Sequence, residues 1–321
     1  MRLRLVPQNT NWDFMKYRKF TFGASIVAMI ASVIIWLSVG LNFGIDFLGG
    51  TTIRTESAQT IDVGAYRDAL TPLGLGDVVI TEVSDPTFRD DQNVALVRIQ
   101  AQDGAEAVTT DTITAVEGAL RSIDPEITFP SVESVGPKVS GELITTALLA
   151  VGVSLVAILF YIWLRFEWQF SVGAVAALFH DVILTIGVFS LLQIRFDLAT
   201  IAALLTIIGY SINDTVVIFD RLRENLIKFK KTPLIDVMNM SVNETLSRTL
   251  MTSGTTLLAL IALIVLGGDV IRGFVFAILW GVIVGTYSSV YVAKNVVLML
   301  GVDRDPKKPS DAGTQFANID A

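Results

Sequence analysis

The sequence predicts a polytopic α-helical membrane protein, with six transmembrane helices and an α+β domain outside the bilayer between the first two. Three observations carry that reading. Of 321 residues, 52% are hydrophobic and only 17% charged, where an ordinary soluble domain has roughly a quarter charged. Four windows run 20 residues or more without a charge, the length a helix needs to cross the hydrocarbon layer. The net charge of −7 is concentrated: Asn42 to Gly141 holds 16 Asp and Glu against 6 Lys and Arg, and the other 221 residues sum to +3.

The uncharged windows are Phe20–Ile45, Leu143–Leu164, Thr249–Gly268 and Gly273–Ala293. Two more qualify if an internal charge is accepted: Trp168–Ile194, broken by His180-Asp181, and Leu198–Phe219, broken by Asp214. The first window could be a signal peptide, since Ser38-Val39-Gly40 fits a small-x-small cleavage site. Its apolar core is longer than such signals carry, so it reads as a span. The chain then divides into a cytoplasmic tail (1–19), a first transmembrane helix (20–41) and an external domain (42–141). Five further helices follow (142–301) with a cytoplasmic loop at 220–247, and then a second tail (302–321) without fixed structure.

Lys and Arg in the short segments set the orientation. Sixteen lie on the side of the two termini, among them Arg2, Arg4, Lys16, Arg18, Lys19, Arg165, Lys230, Arg304, Lys307 and Lys308. The opposite short loops hold Arg195 and Arg272. Both termini are therefore expected in the cytoplasm. Trp12, Trp163, Trp168 and Trp280 are compatible with interfacial anchoring. Thr232 to Met238 reads as an N-capped amphipathic helix, Pro in its first turn, lying on the membrane surface.

The external domain reads as strand 51–55, helix 61–70 capped by Thr60 or Asp62, and strands 78–83 and 94–99 around a turn at Asp85-Pro86. A helix at 105–123 and a strand from 127 complete it. The order βαββαβ is that of the ferredoxin-like split unit. An acidic solvated surface is one reading of it, and docking of an extended chain along a sheet edge another. It contains no catalytic set.

The charges inside the spans are the candidate functional residues, because an ionisable group there costs at least ~2.5 kcal/mol and usually faces protein or a water path. Asp214 stands about two turns before the basic end at Arg221, with Ser211 at i−3 and Tyr210 at i−4 placed to hydrogen-bond it. In the fifth span Thr245, Arg248, Thr249, Thr252, Thr255 and Thr256 form a polar stripe. Arg248 is the expected partner of Asp214, opposing the effect of desolvation on the carboxylate. In the sixth, Gly281 and Gly285 permit close packing, and Thr286, Ser288 and Ser289 could line a wet path. His180-Asp181 is either a satisfied structural pair or a second relay element.

Other chemistries have no residues to carry them. There is no Cys and one His, so thiolate metal sites, cysteine nucleophiles and Ser-His-Asp triads have no basis. No Gly-Lys pair occurs, so no P-loop does. We expect no enzyme activity, no cofactor and no nucleic-acid partner.

Several stretches coincide with one family's motifs: Phe43-Gly44-Ile45-Asp46-Phe47-Leu48-Gly49-Gly50-Thr51, Val135-Gly136-Pro137-Lys138, Ala177-Leu178-Phe179-His180-Asp181, Ile208 to Val217, and Arg248 to Thr256. From about Lys19 to Gly301 the chain resembles the SecF branch of the SecD/SecF family, within the RND superfamily. The resemblance implies a six-span subunit of the bacterial inner membrane that pairs with SecD beside the SecYEG channel, often with YajC. It would use the proton motive force to pull or release a translocating preprotein after SecA has pushed it, its external domain lying in the periplasm. Family roles in proton transport carry over onto Asp214 and Arg248. The candidate pathway adds Tyr210, Ser211, Asn213, Thr252 and Thr256, together with His180 and Asp181. Beyond these partners the chain meets membrane lipids. The alternatives are an RND-type half-transporter for a small lipophilic substrate and a scaffold that moves no protons.

Overall fold

The fold is that of a computed structural model, which describes residues 10–83, 88–89, 91–100 and 108–302. The expected turn at Asp85-Pro86, the first residues of the 105–123 helix, most of the second tail and the outermost basic residues (Arg2, Arg4, Arg304, Lys307, Lys308) lie outside the described residues.

In hydrocarbon a backbone must satisfy its own polar groups, so an apolar segment of this length closes into a helix. The first, α1 (Arg18–Val39), ends at Gly40 with φ 76°. A short strand β1 (Asn42–Phe43) and one turn of helix, α2 (Ile45–Leu48), lead into Gly49 and Gly50, whose φ values of 70° and 116° lie where a Cβ is strained. That left-handed pair turns the chain into β2 (Gly50–Ser57). Then come α3 (Val63–Leu70), β3 (Val78–Val83), β4 (Asn93–Ile99), α4 (Thr110–Arg121) and β5 (Thr128–Val135). Asp62 is the cap of α3, accepting from the amides of Gly64 and Ala65.

The sheet order β3-β4-β2-β5, antiparallel throughout, is the ferredoxin-like arrangement expected from the βαββαβ pattern. Ile53, Val97, Val116 and Leu120 are fully buried between the sheet and its two helices. Each such side chain stabilises the domain by about 1.5–3 kcal/mol.

The membrane part continues with α5 (Pro137–Arg165), α6 (Trp168–Leu192), β6 (Arg195–Phe196), α7 (Leu198–Lys228), α8 (Leu234–Leu266) and α9 (Asp269–Ser288). A π-helical turn at Ser289–Ala293 joins α9 to α10 (Lys294–Leu300). Among the described residues six helices (α1, α5, α6, α7, α8 and the α9–α10 unit) are long and apolar enough to cross a membrane. Two sequence expectations fail here. Thr232–Met238 is not a separate surface helix: Pro233 is the N-cap of α8, which runs unbroken into the fifth span. Nor is 220–247 a loop, because α7 and α8 extend to leave five residues between them. The extensions hold because their apolar faces (Leu222, Leu226, Val237, Met238) bury against the bundle rather than against lipid.

Among the described residues two large apolar clusters fill the bundle, beside a small one of Ile218, Val242 and Val290. One, nearer the termini, contains Phe170, Ala174, Phe219, Leu222 and Val297. The other, nearer the sheet domain, contains Phe189, Ala203, Ile207, Ala277 and Val282. The sheet domain is tied to the α6–α7 connection. Strand β1 pairs in parallel with β6, the Leu198 amide donates to Asp46 Oδ2 at 3.0 Å, and Arg98 donates to the Phe43 carbonyl at 3.0 Å. Phe43, Phe47 and Phe196 pack as a ring cluster at 5.8–5.9 Å.

Candidate functional site

Between the two apolar clusters lies a polar layer built by α6, α7 and α9. Small residues let the helices meet there. A Cβ on Gly281 would stand 2.2 Å from Ile207 Cγ1, and one on Gly285 would stand 3.0 Å from Ser211 Cβ. The backbones of α7 and α9 thus approach closely enough for short hydroxyl side chains to reach across.

The centre of the layer is Asp181, 1% exposed. Its Oδ2 accepts from Ser211 Oγ on α7 at 2.6 Å and from Ser288 Oγ on α9 at 2.8 Å. Its Oδ1 lies 2.9 Å from His180 Nδ1. The imidazole is wholly buried and stacks on Tyr287 at 6.0 Å, and its Nε2 has no partner. One helix turn further along α7, Thr215 and Ser289 share a hydrogen bond of 2.8 Å. Ser289 opens the π-helical turn, a feature frequent at functional sites.

Asp214, 3% exposed, occupies the neighbouring face of α7 towards α8. Its hydroxyl neighbour is Ser253, at 3.5 Å from Oδ2, and Ser253 is paired to Thr286 at 2.8 Å. The carboxylates therefore differ: Asp181 has three close partners, whereas Asp214 faces the Ser253 and Thr286 hydroxyls, with Ser253 no nearer than 3.5 Å.

Measured against the sequence expectations, the layer is rearranged. Ser211 bonds Asp181, not Asp214. Tyr210 donates to Thr256 at 3.4 Å. Arg248 is exposed and makes no ion pair with Asp214 or any other described acid, though it is near enough to act on Asp214 through its charge. The reason is helical phase: Arg248 precedes Ser253 by five residues, about 140° around α8, so it leaves the face that Ser253 turns to Asp214. Asn213 is exposed. Thr252 and Thr256 return their hydroxyls to carbonyls of their own helix, at 3.1 and 2.9 Å. The structure brings together His180, Asp181 and Ser211, and separately Tyr210 with Thr256. It does not assemble all nine residues into one cluster. Ser253 was missed by following the threonine spacing, although its position four residues after Thr249 was a usable signal.

A bundle with two buried carboxylates at mid-helix, clamped to an external α+β domain, defines an integral membrane protein of the transport type. Residues 115–303 match the family model described as protein export membrane protein SecD/SecF, C-terminal, and residues 34–61 match the SecD/SecF GG motif. The chain is 68% identical to the protein translocase subunit SecF of Cereibacter sphaeroides, over 100% of this chain and 99% of that one. It is 63% identical to that of Rhodobacter capsulatus, over 99% and 97%. Among solved structures it resembles Thermus SecDF, a translocon-associated membrane protein, with a TM-score of 0.83 at 36% identity over 94% of this chain. A SecDF in a super-membrane-facing form gives 0.68 at 37% over 93%. The chain spans 40% of the length of each SecDF chain. The chain belongs to the SecF branch of the SecD/SecF family of protein export membrane proteins.

Proposed function

We propose that this chain is a non-enzymatic auxiliary subunit of the Sec translocase, working with SecD to turn the proton motive force into late-stage movement and release of a preprotein. The observation that carries the reading is the connection between the polar layer and the external domain. Helices α6 and α7 hold His180, Asp181, Ser211 and Asp214, and the residues joining those helices are the ones bound to β1 and Asp46.

An ionised Asp181 can only accept, and it accepts from both serines. A protonated Asp181 carries a donor, so either His180 Nδ1 becomes an acceptor by changing tautomer or a serine contact rearranges, and in both cases the serine bonds no longer meet a charge. Each charge-assisted hydrogen bond is worth about 1.5–3 kcal/mol. A charge moving through 100 mV supplies about 2.3 kcal/mol. One proton per step thus matches the exchange of one such bond, and the resulting shift of α6 against α7 passes to the external domain through β6 and Asp46.

Pairing with SecD is supported by what the chain leaves uncovered. Arg248 and Asn213 are exposed on α8 and α7, and such polar groups within a span require protein or a water path beside them. The reading places the chain in the bacterial inner membrane, termini in the cytoplasm, beside SecYEG and often YajC, with SecA acting earlier on the same preprotein. A transporter of small lipophiles would call for an apolar external pocket. The cleft of about 620 Å³ under the sheet is mixed, with Val83, Leu96, Ile264, Val270, Phe274 and Phe276 beside Asp46, Arg54, Glu133, Arg195, Asp197 and Arg272, so the family motifs, and not this cleft, favour the Sec reading.

The test is Asp214→Asn in membrane vesicles containing SecD. Gradient-dependent export should fall to the level seen without a gradient, while SecD still co-purifies with the chain. Late-stage export at the wild-type rate would remove Asp214 from the mechanism.

A further inference from the structure

On the side of the termini, the first and last spans end beside one another around a cleft of about 340 Å³, lined by Arg18, Lys19, Phe22, Asn295, Leu298 and Met299. The back wall is fixed, because Asn295 is 5% exposed and its amide donates to the Tyr291 carbonyl at 2.6 Å and the Arg18 carbonyl at 3.4 Å, joining α10 to α1. Arg18 and Lys19 line the cleft, and among the described residues no acid does. Neither Arg18 nor Lys19 has an ion pair among the described residues. Asp13, five residues before Arg18, spends its carboxylate on the amides of Met15 and Lys16.

Depth decides the occupant. Phe22 lies four residues into α1 from Arg18, about 6 Å deeper along the axis, and Phe20 beside it is 77% exposed. Met299, at the end of α10, is 73% exposed. Exposed apolar groups immediately below two unpaired cations mark the boundary between hydrocarbon and headgroups. We propose that this cleft binds one anionic glycerophospholipid, its phosphate between Arg18 and Lys19 and the upper part of an acyl chain against Phe22, Leu298 and Met299. Charge complementarity excludes a zwitterionic lipid as an equal ligand, and the apolar wall distinguishes a lipid from a free phosphate. The site stands apart from the polar layer, and its test does not depend on protein export.

The experiment uses the full chain in neutral detergent, titrated with dioleoylphosphatidylglycerol, dioleoylphosphatidylcholine or inorganic phosphate, with bound species counted by native mass spectrometry. The wild-type chain should retain one phosphatidylglycerol in preference to phosphatidylcholine, and raising the salt should erase that preference. Arg18→Gln with Lys19→Gln should weaken phosphatidylglycerol binding about 30-fold, from about 1 kcal/mol per basic residue. Arg18→Lys with Lys19→Arg should keep it. Leu298→Trp, which fills the apolar wall and leaves both charges, should weaken it as well. Equal retention of both lipids, binding unchanged in the glutamine variant, or competition by phosphate as strong as by the lipid would each overturn the proposal. Should the glutamine variant fail to fold, the salt titration on the wild-type chain and the Lys/Arg exchange decide it.

Discussion

Replacing Asp181 by Asn and by Leu should separate the hydrogen bonds of the polar layer from the proposed proton chemistry. The Asn side chain keeps an oxygen for Ser211 and Ser288, which both bond Oδ2 at 2.6 and 2.8 Å. Its amide then turns to His180 Nδ1, which accepts in the other imidazole tautomer. All three contacts survive as neutral bonds, and the loss is about 1 kcal/mol for each of the two serine bonds that no longer meet a charge. The Leu side chain strands the Ser211 hydroxyl and one ring nitrogen in a buried layer, at about 1–3 kcal/mol each, so about 2–6 kcal/mol in all, while Ser288 keeps the Gly285 carbonyl at 3.1 Å. The upper end reaches the whole stability of a marginal domain, about 5 kcal/mol. Asp181→Asn should therefore stay monodisperse with an apparent Tm within a few degrees of wild type, and Asp181→Leu should aggregate. In vesicles holding SecD, Asp181→Asn should show export that no longer responds to an imposed gradient. Two results would sink the reasoning: an Asn variant as unstable as the Leu variant, or an Asn variant with undiminished response to the gradient.

The contact between Gly281 and Ile207 makes a second prediction. Gly281→Ala should lower the Tm measurably, since its Cβ would sit 2.2 Å from Ile207 Cγ1, while Gly209→Ala, with nothing within 4 Å, should not. Adding Ile207→Ala to Gly281→Ala should recover part of the loss, and no recovery would mean that the clash lies in the backbone. The external domain should weaken in alkali. Burial pushes the Tyr66 hydroxyl above its ordinary value of 10.0, against a lowering hydrogen bond from Thr55 and with a smaller raising effect from Asp124. Between the unfolded and folded values the native state holds a proton that the unfolded chain releases. The stabilisation is thus complete below pH 10 and is lost as pH rises through the folded value. Proteolytic protection of residues 50–135 should fall above pH 10 in the wild type and less steeply in Tyr66→Phe.

The membrane helices and the order of the sheet were legible because both rest on one-dimensional patterns, uninterrupted apolar length and the alternation of strand and helix. The ends of α7 and α8 were not. Their charged extensions read as loop because composition reports what faces water, and Leu222, Leu226, Val237 and Met238 make a helical face only once the neighbouring helices are in place. For the polar layer, sequence named the residue types but not the pairing. His180, Asp181, Asp214 and Ser288 stand out as polar groups in apolar windows. Which serine meets which carboxylate depends on the rotation of α7 against α6 and α9, and that rotation is set by the bare faces of Gly281 and Gly285. Arg248 was misplaced for the same reason: proximity in charge pattern does not fix phase around a helix.

The two carboxylates, unequally provided for, suggest why the chain needs a partner. Asp181 is closed on every side by α6, α7 and α9, and its hydrogen bonds are complete within the chain apart from the bare Nε2 of His180. Asp214 faces only the Ser253–Thr286 hydroxyl pair, with Ser253 at 3.5 Å, and the polar groups beyond it, Asn213 and Arg248, point out of the bundle. A lipid tail can satisfy neither of them, so the face of α7 and α8 that carries them calls for helices from another subunit or the water such an interface admits. On the proposed function the polar layer is half of a proton path: the inner half is held by Asp181, and the outer half takes its final geometry from what packs against Asn213 and Arg248. That division puts the adjustable element of the proposed path on the face of α7 and α8 that the chain leaves uncovered.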